Sequence, residues 1–247
     1  MNYTESVPGF PLALSPASSR RNLCAQDFLY TQPMSSLLVQ GILFDLDGVL
    51  IDSTAGVTRV WRNWGTRHGL DPTQTAHAAH GRRAIDTVRL LSPQLDAEAE
   101  LRDLERREIA DSFDVSVFPG AVSLLASLPF SRWAIVTSGT RDLAAHRLSV
   151  AGLPVPELMI TAGDIGQGKP HPEPYQRGAA LLGFPPAACV AVEDAPNGIR
   201  SALDAGMPVL ALPTTYPADE LTQATSLLPS LTALKATMVG DFIRLDW

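Results

Sequence analysis

Four short polar sets stand where apolar runs end. Leu37–Phe44 (LLVQGILF) runs into Asp45-Leu46-Asp47-Gly48, and Trp133–Thr137 (WAIVT) into Ser138-Gly139-Thr140. Leu158–Thr161 leads across a short loop to Gly168-Lys169-Pro170-His171-Pro172, and Cys189–Val192 runs into Glu193-Asp194. Together they offer carboxylates, a hydroxyl and an ammonium. Taken singly, each has a plain reading. Asp and Gly favour turns, and Glu-Asp before a helix caps it and compensates its dipole. Thr137 alone is a strand-end threonine and Lys169 a solvated loop lysine. The conjunction of four sets after four apolar runs points to one pocket instead. Carboxylates converging there would repel one another and be costly to desolvate. A divalent cation removes that cost, and Mg²⁺ usually binds through a few carboxylates plus a substrate phosphate. A competing motif, Gly163-Asp164-Ile165-Gly166-Gln167-Gly168-Lys169, fits the GxxxxGK start of a phosphate loop. The Ser or Thr required next is replaced by Pro170, which has neither hydroxyl nor N–H, so we set it aside.

The elements that must position these sets follow from periodicity. After Pro119, helical and buried-strand patterns alternate. Ala121, Leu124, Leu125 and Leu128 mark a helix, and further helices are predicted near Asp142–Ala151, Pro174–Leu182 and Asn197–Ala205. The runs that carry the polar sets, with Pro208–Leu212, supply the strands. This alternation predicts an α/β fold: a Rossmann-like three-layer core with a parallel sheet and helices on both faces. Ligands bind such sheets beyond the carboxyl ends of the strands. Between Asp52 and Phe118 the pattern is helical only. Val57, Val60, Trp61 and Trp64 recur at i, i+3, i+4, i+7, and Ala84–Leu91 and Ala97–Ser112 continue it. The Glu and Arg run at Glu98–Glu108 reads as a solvated helix face. We expect residues 38–52 and 119–247 to form the core, 53–118 a helical cap inserted after the first strand, and 1–37 a disordered leader, with Met34 as an alternative start. The segment after Tyr216 reads as polar, then weakly helical.

Composition narrows the function. The chain has 247 residues, 45% hydrophobic and 18% charged, with net charge −7, enough apolar material for a sizeable core. The negative sign argues against nucleic acid and anionic membrane surfaces as partners. Cys24 and Cys189 form neither a metal-ligand spacing nor a disulfide framework. No apolar run approaches the roughly 18–20 residues that span a bilayer, and no secretory signal is visible. We expect a cytoplasmic protein with no obligate protein partner evident.

Asp45-Leu-Asp-Gly-Val-Leu-Ile-Asp52, the strand ending at Thr137, Lys169-Pro-His-Pro-Glu-Pro-Tyr175 and Glu193-Asp-Ala-Pro-Asn-Gly198 resemble, in order and spacing, the four motifs of the haloacid dehalogenase-like hydrolases. The resemblance runs from about Leu37 to Tyr216. Trp61-Arg-Asn-Trp64, His80-Gly81-Arg82-Arg83, Thr137-Ser-Gly-Thr-Arg141 and Gly168–Tyr175 look most like the glycerol-phosphate and deoxyhexose-phosphate phosphatases of that family. Position 49 is Val where the family often has Thr.

The resemblance implies Mg²⁺ and a small phosphorylated metabolite. Asp45 would attack phosphorus, and Asp47 would protonate the leaving group and then activate water. The metal would be held by Asp45, the Asp47 backbone carbonyl and Asp194, with Glu193 binding directly or through water. Lys169 would hold the phosphate and Asp45. Thr137 would donate its hydroxyl, and Leu46, Ser138 and Gly139 their N–H groups, to the phosphate. Specificity would come from the cap, with His80 and Arg83 as candidates ahead of Arg82. Their plain readings are a structural hydrogen-bonder and a solvated basic residue. His171 would fix the Lys169 loop, Arg141 is a second-rank site residue, Asn197 would orient Asp194 or cap the following helix, and Trp61 and Trp64 would form cap core, with the pocket as the alternative for Trp61.

Rival readings are a dehalogenase, which needs neither Asp47 nor the metal cluster, and a β-phosphoglucomutase-type phosphomutase, which shares every motif. A receiver-like phospho-aspartate signalling domain differs in motif order, and a catalytically dead binding protein would not keep every reacting position filled. Glycerol phosphate, hexose or deoxyhexose 6-phosphate and other polyol phosphates all fit as substrates.

Overall fold

The computed structural model describes residues 35–247. The leader expected over residues 1–37, with Cys24 and Met34, falls outside them except for its last three positions. The first apolar run does not make one strand, as its composition suggests. It divides at polar Gln40, whose N–H donates to Ala188 O at 2.6 Å. Ser36–Val39 (β1) joins a small antiparallel sheet, and only Gly41–Phe44 (β2) enters the large parallel one. Every residue of β2 is buried, as in a strand covered on both faces. A side chain at Gly41 would lie 2.8 Å from Leu182 Cδ1, so the switch of sheets occurs at a glycine.

The chain then forms Ile51–Asp52 (β3) and four helices, Thr54–Arg67 (α1), Pro72–Ala79 (α2), Ala84–Leu91 (α3) and Ala97–Ala110 (α4). It returns through Ser116–Val117 (β4), which pairs antiparallel with β3. The apolar stripe of α1 closes on an apolar cluster of the insert's own: Val60, Trp61 and Trp64 pack with Ala76, Ala79, Val88 and Leu104. Start signals are explicit. The Asp71 side chain accepts from Gln74 N with Pro72 opening α2, and that of Asp96 accepts from Glu98 N and Ala99 N at the start of α4. These helices are the cap of the fold.

Beyond them run Ala121–Ala126 (α5), Trp133–Val136 (β5), Arg141–Val150 (α6), Met159–Ile160 (β6), Glu173–Leu182 (α7), Cys189–Glu193 (β7), Pro196–Asp204 (α8), Val209–Ala211 (β8) and Ser226–Leu227 (β9). The sheet order is β6-β5-β2-β7-β8-β9, with every pairing parallel. Successive strand residues point to opposite faces, which here builds two cores. Ile42, Phe44, Ile135, Val190 and Val192 meet Leu124, Ala144 and Leu148 from α5 and α6. Leu43, Ala134, Val136 and Ala191 meet Tyr175, Ala179, Ile199 and Ala202 from α7 and α8. Strand order reverses at β2, so the crevice beyond its carboxyl end is where such folds bind ligands.

The tail departs from the helical expectation. Lys235–Val239 (β10) and Phe242–Asp246 (β11) form a hairpin, and the second sheet has the order β1-β11-β10. The two-residue turn Gly240-Asp241 places Gly240 at φ 60°, a conformation that suits such a hairpin. Ile243 and Leu245 are buried while Phe242 and Arg244 face out. This period of two outweighs the weak helical composition. We expect Ile243→Ala to lower stability in urea unfolding by about 2–5 kcal/mol. Arg244→Ala, one residue on and facing solvent, should stay within about 0.5 kcal/mol.

Candidate active site

The parallel registers set Phe44 of β2 opposite Ile135 of β5 and Val192 of β7. Asp45, Thr137, Glu193 and Asp194 therefore leave the sheet at one edge. Lys169 reaches them from the loop before α7. It is 2% exposed, and Nζ donates to Asp45 Oδ1 at 3.0 Å, Glu193 Oε1 at 2.6 Å and Val136 O at 3.0 Å. Glu193 is satisfied on both oxygens. Tyr175 Oη also donates to Oε1 at 2.7 Å, and the Asp194 and Ala195 amides donate to Oε2 at 3.0 and 3.3 Å.

Asp194 differs: its Oδ1 is buried with no hydrogen-bond partner. One oxygen from each of Asp45, Glu193 and Asp194 lies within 4.8 Å of the others. A buried carboxylate oxygen without a donor, in an all-oxygen set, fits a hard divalent cation. The backbone makes the set possible. A Cβ at Gly48 would lie 1.8 Å from Asp194 Oδ2, and one at Gly198 would lie 1.8 Å from Glu193 Oε1.

Electrostatics agree with this fit. Burial raises the Asp45 carboxyl to about 7; Lys169 pulls it down, and Glu193 and Asp47 push it up. Burial, with Glu193 and Asp45, holds Asp194 well above the usual carboxylate range. Burial works against the Lys169 ammonium, yet Asp45 and Glu193 outweigh it and raise its pKa. Three carboxylates share one ammonium, so the site is short of positive charge.

Asp47 faces the cleft from the turn after β2, where its Oδ1 accepts from Ser53 Oγ at 2.6 Å and Arg147 Nη1 at 2.9 Å. Thr137 Oγ1 accepts from Gly139 N at 3.1 Å, which leaves the hydroxyl hydrogen free to donate. The Gly139 amide, read from sequence as an open donor, is thus engaged within its own loop. Ser138 Oγ donates to Gly81 O at 3.3 Å, tying this loop to the cap. Leu46 is buried in the same turn and accepts from the amides of Leu50 and Ile51.

The cap candidates divide. His80 lines the cleft, with Nε2 3.2 Å from Thr58 Oγ1. Burial lowers its pKa to about 4, so the ring is neutral at pH 7. Arg83 borders the cleft too, and four of its five N–H groups are engaged. They go to the Asp86 carboxylate at 2.6 and 3.0 Å and to Ile165 O and Gly166 O at 3.2 Å each. Arg83 therefore ties the cap to the Lys169 loop and is not a solvated arginine. Arg141 bonds Met159 O and Asp164 at the edge of β6. His171 accepts from Glu173 N and, through its carbonyl, from Ser201 Oγ, which fixes the Lys169 loop.

Sequence reasoning missed Glu105, Glu108 and Arg147, all of which line the cleft. Glu108 is no solvated residue. It is buried, and accepts from Trp61 Nε1 at 3.0 Å and Arg147 Nη2 at 3.0 Å. Glu105 accepts from Thr140 Oγ1. A signal existed. Leu101, Leu104 and Glu108 share i, i+3, i+7 spacing, and Arg147 sits among Leu143, Ala144 and Leu148. A charge inside an apolar stripe marks a buried partner.

A Rossmann-like core with this carboxylate and lysine edge and a helical cap defines a class. The sequence profile of the haloacid dehalogenase-like hydrolases matches residues 39–206. The chain belongs to that family. It is 41% identical over 211 residues to hexitol phosphatase A of Escherichia coli, covering 83% of this chain and 98% of that one. Glycerol-1-phosphate phosphohydrolase 1 of Saccharomyces cerevisiae is 38% identical over 207 residues, covering 78% and 82%. A β-phosphoglucomutase from Clostridium difficile shares the fold, with TM-score 0.68 at 23% identity over 80% of this chain and 93% of that chain.

The pKa of His80 gives a stability test. Its folded value of about 4 lies below the ordinary 6.5. Between those values the unfolded chain binds more protons, so stability is full above pH 6.5 and is lost as pH falls toward 4. We expect the thermal midpoint to fall across that window and His80→Gln to remove part of the fall. A slope unchanged by the substitution would count against this assignment.

Proposed function

We propose that this protein is a Mg²⁺-dependent phosphatase acting on a small sugar or polyol phosphate through an aspartyl-phosphate at Asp45. The observation that carries the reading is the pairing of a lysine-pinned Asp45 with the partnerless oxygen of Asp194, in the cleft that Asp47 also lines. The names of the two curated relatives support the phosphate ester and the substrate class. In this reading residues 38–52 and 119–247 do the chemistry, 53–118 select the substrate, and the enzyme works in the cytoplasm without an obligate protein partner.

Asp45, the Asp47 carbonyl and Asp194 would hold Mg²⁺, with Glu193 behind them as the partner of Lys169. When bound, the ion supplies the positive charge that lets two anions, phosphate and carboxylate, approach. Lys169 holds the Asp45 carboxylate at Oδ1 as a fixed point charge. Asp45 forms the new oxygen–phosphorus bond while the bond to the substrate alkoxide breaks. Asp47 passes its proton to that alkoxide. It then takes one from water, whose oxygen displaces Asp45 from phosphorus. The Thr137 hydroxyl and the Leu46 and Ser138 amides donate to phosphate oxygens as charge develops there. Glu105 and neutral His80 face the rest of the substrate, where acceptors for hydroxyl groups suit a polyol.

Two outcomes are expected. Phosphate release from glycerol phosphate or hexose 6-phosphate should fall to background in Asp45→Asn and in chelator, and by about 10²–10⁴-fold in Asp47→Asn. Isomerisation of β-glucose 1-phosphate without phosphate release would replace hydrolysis by mutase chemistry. Separately, Mg²⁺ at 100 times its Kd should stabilise the protein by about 2.7 kcal/mol in thermal unfolding. Asp194→Ala should abolish that shift, whereas a shift that survives would place the ion elsewhere.

A further inference from the structure

Arg147 is 5% exposed on the buried face of α6, between Ala144 and Leu148. An arginine so placed must be paired. Its two terminal nitrogens serve two carboxylates from different parts of the chain. Nη1 donates to Asp47 Oδ1 at 2.9 Å and Nη2 to Glu108 Oε2 at 3.0 Å. Glu108 lies on cap helix α4, and its other oxygen accepts from Trp61 Nε1 of α1 at 3.0 Å. Trp61 is itself a wall of the cleft. A continuous line of hydrogen bonds therefore runs from the cap wall, through Glu108 and Arg147, to Asp47.

We infer that Arg147 is the positioning residue for Asp47, transmitting the placement of the cap to the carboxyl group that exchanges the proton. The inference rests on the role proposed for Asp47. At Asp47 both observed donors, Ser53 Oγ and Arg147 Nη1, fall on Oδ1. They fix the carboxyl plane and leave Oδ2 for proton exchange. Both donors also lead to the cap: Ser53 immediately precedes α1, and Arg147 is anchored on Glu108. A fold-stabilising ion pair would need only Glu108; the second bond, to a reacting group, adds nothing to packing. The planar fork of arginine spans both carboxylates, which a lysine cannot do at once.

The test separates positioning from simple damage by leaving group. An alkoxide needs the proton from Asp47, whereas p-nitrophenolate leaves without one. Leaving-group release in single turnovers isolates the first step. With Arg147→Met we expect release of glycerol from glycerol phosphate to slow by about 10–100-fold, and release of p-nitrophenolate by less than about 3-fold. Arg147→Lys keeps a buried cation, so it folds even where Met does not, and should show the same discrimination more weakly. Equal slowing of both substrates, or no slowing, in a folded variant overturns the inference. Asp47→Asn is the reference. If it discriminates between the substrates and the Arg147 variants do not, the positioning role alone fails. If Asp47→Asn slows both substrates equally, the proton role of Asp47 fails and the inference with it.

Discussion

One ammonium group holds this structure to its function. Lys169 Nζ sits in a dry place with three hydrogens and three acceptors, one from each of three adjacent strand ends: Asp45 after β2, Val136 O of β5 and Glu193 of β7. Removing one partner from such a buried group typically costs about 3–5 kcal/mol. The parallel register and the site geometry are thus one constraint. A slip of any of the three strands would strand a charge in the interior as well as misplace a side chain of the site.

The second organising fact is an asymmetry between neighbours. Glu193 is saturated by Lys169, Tyr175 and two backbone amides, whereas Asp194 keeps a buried oxygen without a partner. Adjacent carboxylates therefore do different work. Glu193 fixes the lysine, and Asp194 keeps an oxygen that can accept a positive charge from outside the chain. Tyr175, which closes the Glu193 side, stands at the end of the Lys169–Tyr175 motif, so that motif specifies both the cation and the hydroxyl that share one carboxylate.

Much of this was legible before any coordinates. Buried parallel strands read as unbroken apolar runs, and the polar residue after each run must emerge at the ligand edge, so Asp45, Thr137, Glu193 and Asp194 were visible as a set. The stripe Val57, Val60, Trp61, Trp64 announced a helical insert with its own core. What was not legible needed contacts between distant segments. The run Leu37–Phe44 is apolar on either side of Gln40, so nothing local told which half joins which sheet. Phe242–Asp246 alternates over only five residues, a signal too short to stand out in the sequence although it prevails once the strand pairs with β1 and β10. Glu108 and Arg147 each sit in an apolar stripe that marks a buried charge, but nothing local says that they pair with each other, 39 positions apart. Arg83 looked like a free donor because two of its acceptors are backbone carbonyls of the Ile165–Gly166 loop, which have no side-chain signature, beside the carboxylate of Asp86.

The pairing of β3 with β4 has a consequence for how such proteins diversify. The chain leaves the core at Ile51–Asp52 and returns at Ser116–Val117, with Ile51 opposite Val117 and Asp52 opposite Ser116. Departure and return are one strand spacing apart, about 5 Å. Whatever lies between those two points closes on itself without altering the register of the six parallel strands. The whole excursion can lengthen, shrink or be exchanged by recombination as a single cassette. The walls that the insert gives the cleft can then change while the strand ends that carry Asp45, Thr137, Glu193 and Asp194 stay in register.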